Sequence, residues 1–129
     1  MNTTFYNIMI VGTGGILGAN ARFHFSRWVS GKSNTVFPIG TLVINVTGCF
    51  IMGFFMTAFT AMHLPDSLRL LVAMGFTGAY TTYSTFEFET FALVQDGQFR
   101  RAAANFAVSF TVGFAALALG VFIAKLVAS

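Results

Sequence analysis

Gly75-Phe76-Thr77-Gly78-Ala79-Tyr80-Thr81-Thr82-Tyr83-Ser84-Thr85-Phe86 closes an uncharged run that begins at Leu70. Two glycines and four threonines fall in the eleven residues from Gly75 to Thr85, and both residue types are poor helix formers. An apolar segment of this kind is expected to enter lipid as a helix and to be interrupted near Gly78–Thr82. The alternative is a continuous helix whose threonines bond back to their own turn. Non-helical backbone at membrane depth survives only if it is buried in protein or lines a cavity. A break there frees carbonyl oxygens, which suit a cation, and amide N–H groups, which suit an anion.

Working outward, the chain has three more uncharged stretches: Met1–Ala21, Ser33–Met62 and Ala102–Ala124. With the first they make up 91 of the 129 residues. A membrane-crossing helix needs about 20 apolar residues, so four spans fit with short connections. Hydrophobic residues make up 56% of the chain and charged ones 9%, with a mean hydropathy of +0.77, whereas soluble domains carry about 25% charge. The expected fold is an all-α integral membrane protein with a single four-helix domain over residues 1–129. Too few residues remain for a soluble catalytic domain. Seven Lys/Arg spread along the chain make no basic patch for nucleic acid. Cys49, the only cysteine, excludes an internal disulfide or a multi-cysteine metal site. No Lys or Arg precedes Arg22, so the first segment is expected to stay as a helix and not to be cleaved as a signal peptide.

The spans are expected from about Asn7 to Arg22–Trp28, from Pro38 or Ile39 to Ala61, from Ser67 to Val94, and from Arg100 to Leu126. Arg22, His24, Arg27 and Trp28 give the first a basic, aromatic end suited to headgroup depth. Arg69 and Lys125 fall near the side of the termini, against Arg27, Lys32, Arg100 and Arg101 near the other. That small asymmetry favours termini outside but leaves orientation open. Gly14-x-x-x-Gly18, Gly48 with Gly53, and Gly113 with Gly120 are small-residue faces that let helices pack closely in lipid. Gly12-x-Gly14-Gly15-x-x-Gly18 also looks like a dinucleotide fingerprint, but it lacks the strand–turn–helix context that gives such a motif its phosphate. Dimerisation is expected, with any transported species passing along the interface between subunits.

The intramembrane polar groups are almost all neutral. Thr41 and Asn45 are four residues apart and share a face. Asn45 reads either as a hydrogen bond between helices, worth about 1 kcal/mol, or as an amide donor for an anion. Tyr83 and Phe86 share a face, and Thr82, Phe86 and Glu89 form a stripe. Such aromatics usually pack a core; beside a row of hydroxyls, their positive ring edges can also meet an anion. Glu87 and Glu89 near the end of the span fit a solvated vestibule. Asn105 and Ser109 share a face of the fourth span. No Asp, Glu, Lys, Arg or His lies mid-span, so a proton relay or charge-coupled pump has no carrier.

Three motifs together resemble the small four-helix fluoride channels of the Fluc, or CrcB, family over essentially the whole chain. They are Gly14-Gly15-x-x-Gly18-x-x-x-Arg22, Gly40-Thr41-Leu42-x-x-Asn45-x-x-Gly48, and Gly75-x-x-Gly78-x-x-Thr81-Thr82-Tyr83-Ser84-Thr85-Phe86-x-x-Glu89. The resemblance implies an antiparallel homodimer of dual topology in the bacterial inner membrane, with the third helix broken at mid-membrane. It implies passive fluoride export through two pathways at the dimer interface, and a central structural sodium ion. By position, Asn45 matches the pore asparagine, while Tyr83 and Phe86 match the aromatics that meet fluoride edge-on. Thr82, Ser84 and Thr85 match the polar track; Thr41 and Glu89 match vestibule positions, and Ser109 a pathway position in the fourth span. Arg22 matches the arginine of the first span, and the carbonyls of Gly78 and Thr81 match the sodium site. Tyr83 stands where many relatives have phenylalanine, and Gly113 where some carry a hydroxyl.

Fluoride is small and strongly hydrated, so a pathway must replace its water with close donors. Neutral donors bind well enough for entry and weakly enough for release. A small multidrug exporter, the first competing class, needs a membrane-buried carboxylate that span one lacks. A non-transporting assembly or regulatory subunit, the second, predicts no flux. An enzyme lacks a visible nucleophile–base pair or metal cluster.

Overall fold

The computed structural model describes residues 3–33 and 35–129, which form four helical rods with no strand. The first is α1 (Thr3–Gly31) and the second α2 (Ile39–Ala61). The third is composite: α3 (Asp66–Arg69), a π-helical stretch (Leu70–Thr77), α4 (Gly78–Tyr80) and α5 (Tyr83–Gln95). The fourth is α6 (Phe99–Val127). α2 and α6 start and stop within about a residue of the sequence expectation. Pro38 caps α2, and Gly97 turns the chain from α5 into α6 with a φ of 72°, a conformation that costs glycine little.

Packing falls into two main pairs, α1 on the π-helical stretch and α2 on α6. In the first, Gly14 and Gly18 are buried, and a Cβ on either would run into backbone, at the carbonyl oxygens of Leu71 and Phe76 respectively. Gly75 returns the contact: its Cβ would stand 2.7 Å from the Val11 carbonyl oxygen. In the second pair, Gly53 and Gly120 face the carbonyls of Leu117 and Phe50 in the same way. These are backbone-to-backbone contacts, the arrangement by which small residues hold helices together where water exclusion does not act.

Both α2 and α6 are long and apolar enough to cross a membrane, yet only 28% and 11% of their most apolar windows are buried. Phe110, Phe114 and Phe122 on α6 and Phe88 and Phe91 on α5 stand largely exposed. Water would not tolerate that surface; lipid or another protein face does. The chain is a membrane protein.

The π-helical stretch carries no signal that spacing or propensity reveals. Its widened turn is marked by the Thr77 hydroxyl, which donates five residues back to the Val72 carbonyl at 2.8 Å. Such widened turns concentrate at functional sites, and this one ends where the third rod changes character.

Candidate functional site

Thr81 (φ −76°, ψ 157°) and Thr82 (φ −150°, ψ 110°) are extended, so α4 stops and α5 starts again two residues later. Helical geometry continues from Gly78 through Tyr80, so the extended backbone is confined to Thr81 and Thr82. The two extended residues need partners for their backbone groups, and Asn45 supplies both for Thr82. Its Nδ2 donates to the Thr82 carbonyl at 3.0 Å, and its Oδ1 accepts the Thr82 N–H at 2.8 Å. A primary amide carries two N–H donors; one is thus left for a further acceptor. The interhelical hydrogen bond expected of Asn45 is thus present, and it holds the interruption.

Neighbouring bonds stiffen the same point. Thr82 Oγ1 accepts the Thr85 N–H at 3.3 Å, capping α5, and donates to Thr85 Oγ1 at 2.8 Å. Thr81 Oγ1 donates to the Thr77 carbonyl at 3.0 Å, and Arg22 Nη1 donates to the Thr81 carbonyl at 3.3 Å. Tyr80 OH and Thr47 Oγ1 share a hydrogen bond of 2.9 Å beneath the break.

Two cavities flank it. The larger, about 420 Å³, is lined by Asn45, Thr81, Thr82, Tyr83, Phe86 and Ser109, with Glu87, Phe106 and Phe110 among its further walls. The smaller, about 190 Å³, is lined by Arg22, Thr41, Thr82 and Thr85, with Phe23, Ser26, Arg27 and Ile44. Thr82 borders both. Tyr83 and Phe86 lie 6.1 Å apart between ring centroids at 41°, and Phe86 lies 6.3 Å from Phe106 at 35°. Phe86 is buried, whereas Tyr83 is 75% exposed on the open side of the larger cavity.

The structure thus divides the residues named from the sequence. Asn45, Tyr83, Phe86 and Ser109 gather in one cavity and Arg22, Thr41 and Thr85 in the other, joined at Thr82. Ser84 is exposed on α5 and lines neither. Glu89 also lines neither, and its Oε2 is buried with no hydrogen-bond partner among the described residues. Phe106, Glu87 and Arg27 join the cavities without having been singled out for them. Phe106 was within reach of sequence reasoning, since it lies three residues before Ser109 and shares its face.

Residues 9–121, which include every residue of both cavities, match the family model described as CrcB-like protein, Camphor Resistance (CrcB). The chain belongs to the CrcB family. A relative from Acidobacterium capsulatum, named fluoride-specific ion channel FluC, is 46% identical over 111 residues, covering 85% of this chain and 89% of its own. Proteins of the same name from Roseiflexus sp. and Solibacter usitatus are 38% and 40% identical over 120 and 118 residues, covering 92% and 91% of this chain and 97% of each relative. Membership in the CrcB family thus spans all four rods, so both cavities belong to the shared part of the fold.

Proposed function

We propose that this chain is a fluoride-selective channel that lets fluoride leave the cell passively, and that it is not an enzyme. The observation that carries the reading is the larger cavity. The spare N–H of Asn45, the hydroxyl of Ser109 and the rings of Tyr83 and Phe86 line one space whose wall carries no Lys or Arg among the described residues; the Thr82 hydroxyl borders it with its proton given to Thr85, and Glu87 stands on the same wall. Conduction requires binding strong enough to admit the ion and weak enough to release it, and neutral donors meet that condition. Arg22 and Arg27 stand at the adjoining smaller cavity, where positive charge gathers anions without holding them on the route.

The open side of the larger cavity supports a homodimer, with two pathways along its interface. Small and opposed Lys/Arg counts at the two ends of the bundle support an antiparallel, dual-topology arrangement of four-span subunits in the inner membrane, with the residues 81–82 break at mid-depth. A structural sodium at the dimer centre fits the donors present. The N–H that would close a helical turn on the Gly78 carbonyl is that of Thr82, and it is given to Asn45, so the Gly78 oxygen is released. The Thr81 oxygen has a second lone pair beyond the one facing Arg22. Two carbonyls per chain are too few for a shell, but a second copy doubles them, and unwound carbonyls are suited to Na⁺. When bound, the ion would tie the two breaks together.

The deciding measurement is fluoride release from liposomes that hold the purified protein, read with a fluoride electrode. Rapid fluoride release with no comparable chloride release is expected. No release would favour a non-transporting subunit, and equal chloride release would remove the selectivity. A second expectation concerns sodium: replacing it stringently with a large organic cation lowers both dimer stability and flux. Unchanged thermal stability and efflux under those conditions would count against the ion.

A further inference from the structure

We infer that Asn105 is a positioning residue for the pathway, acting through Thr90 to set the ring of Phe86; this rests on the channel reading above. Asn105 is 1% exposed, among the most deeply buried side chains of the chain. Its Nδ2 donates to Thr90 Oγ1 at 2.8 Å, and that hydroxyl donates onward to the Phe86 carbonyl at 2.7 Å. The single hydroxyl proton of Thr90 is thus spent on Phe86, and its lone pair receives Asn105. The result is a directional relay from α6 into the backbone of the residue that carries a cavity ring.

The relay has this effect because of how α5 is held. α6 packs chiefly along α2 and meets α5 over a shorter stretch. The start of α5 follows two extended residues, so continuous helical hydrogen bonding does not transmit its rotation from α4. The Asn105–Thr90 bond is a polar peg on that rotation. Phe106 directly follows Asn105, and its ring lies 6.3 Å from that of Phe86, which in turn lies 6.1 Å from that of Tyr83. Turning α5 by even part of a residue would re-aim these edges, while Ser109 on α6 stayed in place. Asn105 itself does not line the larger cavity, so its influence on an ion is indirect.

Thr90→Val keeps the shape and removes the hydroxyl, breaking the relay and leaving the buried Asn105 amide without its acceptor. In liposomes it is expected to cut fluoride efflux by roughly tenfold or more and to lower the fluoride-over-chloride ratio, in a protein that still elutes as the native oligomer. Thr90→Ser, which keeps the hydroxyl, is expected to stay within about twofold of the native rate. Asn105→Leu should match Thr90→Val, and the double variant should be no worse than either, since residues of one network do not add. Native rate and selectivity in folded Thr90→Val overturn the inference, as does an equal loss in Thr90→Ser, which would assign the effect to methyl packing. Should Thr90→Val not fold, Thr90→Cys, with a thiol that bonds weakly, is compared with Thr90→Ser, and equal behaviour overturns the inference. The native protein is the internal reference: absent flux there defeats the channel reading itself, a different failure from a conducting native protein beside a conducting Thr90→Val.

Discussion

Asn45→Asp stops fluoride efflux while leaving the protein folded. The substitution retains the oxygen that accepts the Thr82 N–H at 2.8 Å, so half of the clamp on the interruption survives. It removes the N–H left free for an ion and puts a negative charge in its place. Two like charges about 4 Å apart at an effective dielectric near 20 repel by roughly 4 kcal/mol, which corresponds to about a thousandfold in occupancy. Efflux at or below the rate of empty liposomes is the expected result, with size-exclusion elution unchanged. A folded variant that conducts at the native rate would reduce Asn45 to a structural tie between α2 and residues 81–82.

Gly18→Leu removes the folded protein. An added Cβ at Gly18 would overlap the backbone of Phe76, and no rotamer of a neighbour can relieve a clash with main chain. Overpacking in a tight core costs about 1–3 kcal/mol even where side chains can adjust; here α1 must move off the π-helical stretch, carrying Arg22 away from Thr81. Loss of the monodisperse peak, or a fall in thermal midpoint of roughly ten degrees or more, is expected. Gly12→Leu is the matched control, because a Cβ there meets nothing within 4 Å. If the two variants behave alike, helix propensity and not close approach governs both.

These two residues show how much could be read early and how much could not. Gly18 was recognisable as a packing position because the x-x-x spacing from Gly14 is a local pattern. Its partner was not recognisable, since nothing local says that α1 lies on a π-helical stretch beginning at Leu70. Asn45 stood out as a polar group in an apolar span. That it pairs with Thr82, 37 residues away, is a long-range fact, and it explains why the break falls at residues 81–82 and not at Gly78. The same holds for Ser84 and Glu89: they belong to the motif, but Ser84 is exposed on α5 and Glu89 lies a turn beyond Thr85, so neither lines a cavity.

Composition and local spacing by themselves determined that this is an all-helical membrane protein with glycine-packed rods, a weakened third segment and neutral polar groups, because hydropathy and helical period act over a few residues. Only the tertiary structure decided which carbonyls the break releases, that Thr82 is the wall between two cavities, and that Asn105 reaches Phe86 through Thr90. Those outcomes depend on where backbones from distant segments meet, and in a close-packed protein that is settled by the mutual fit of all four rods at once.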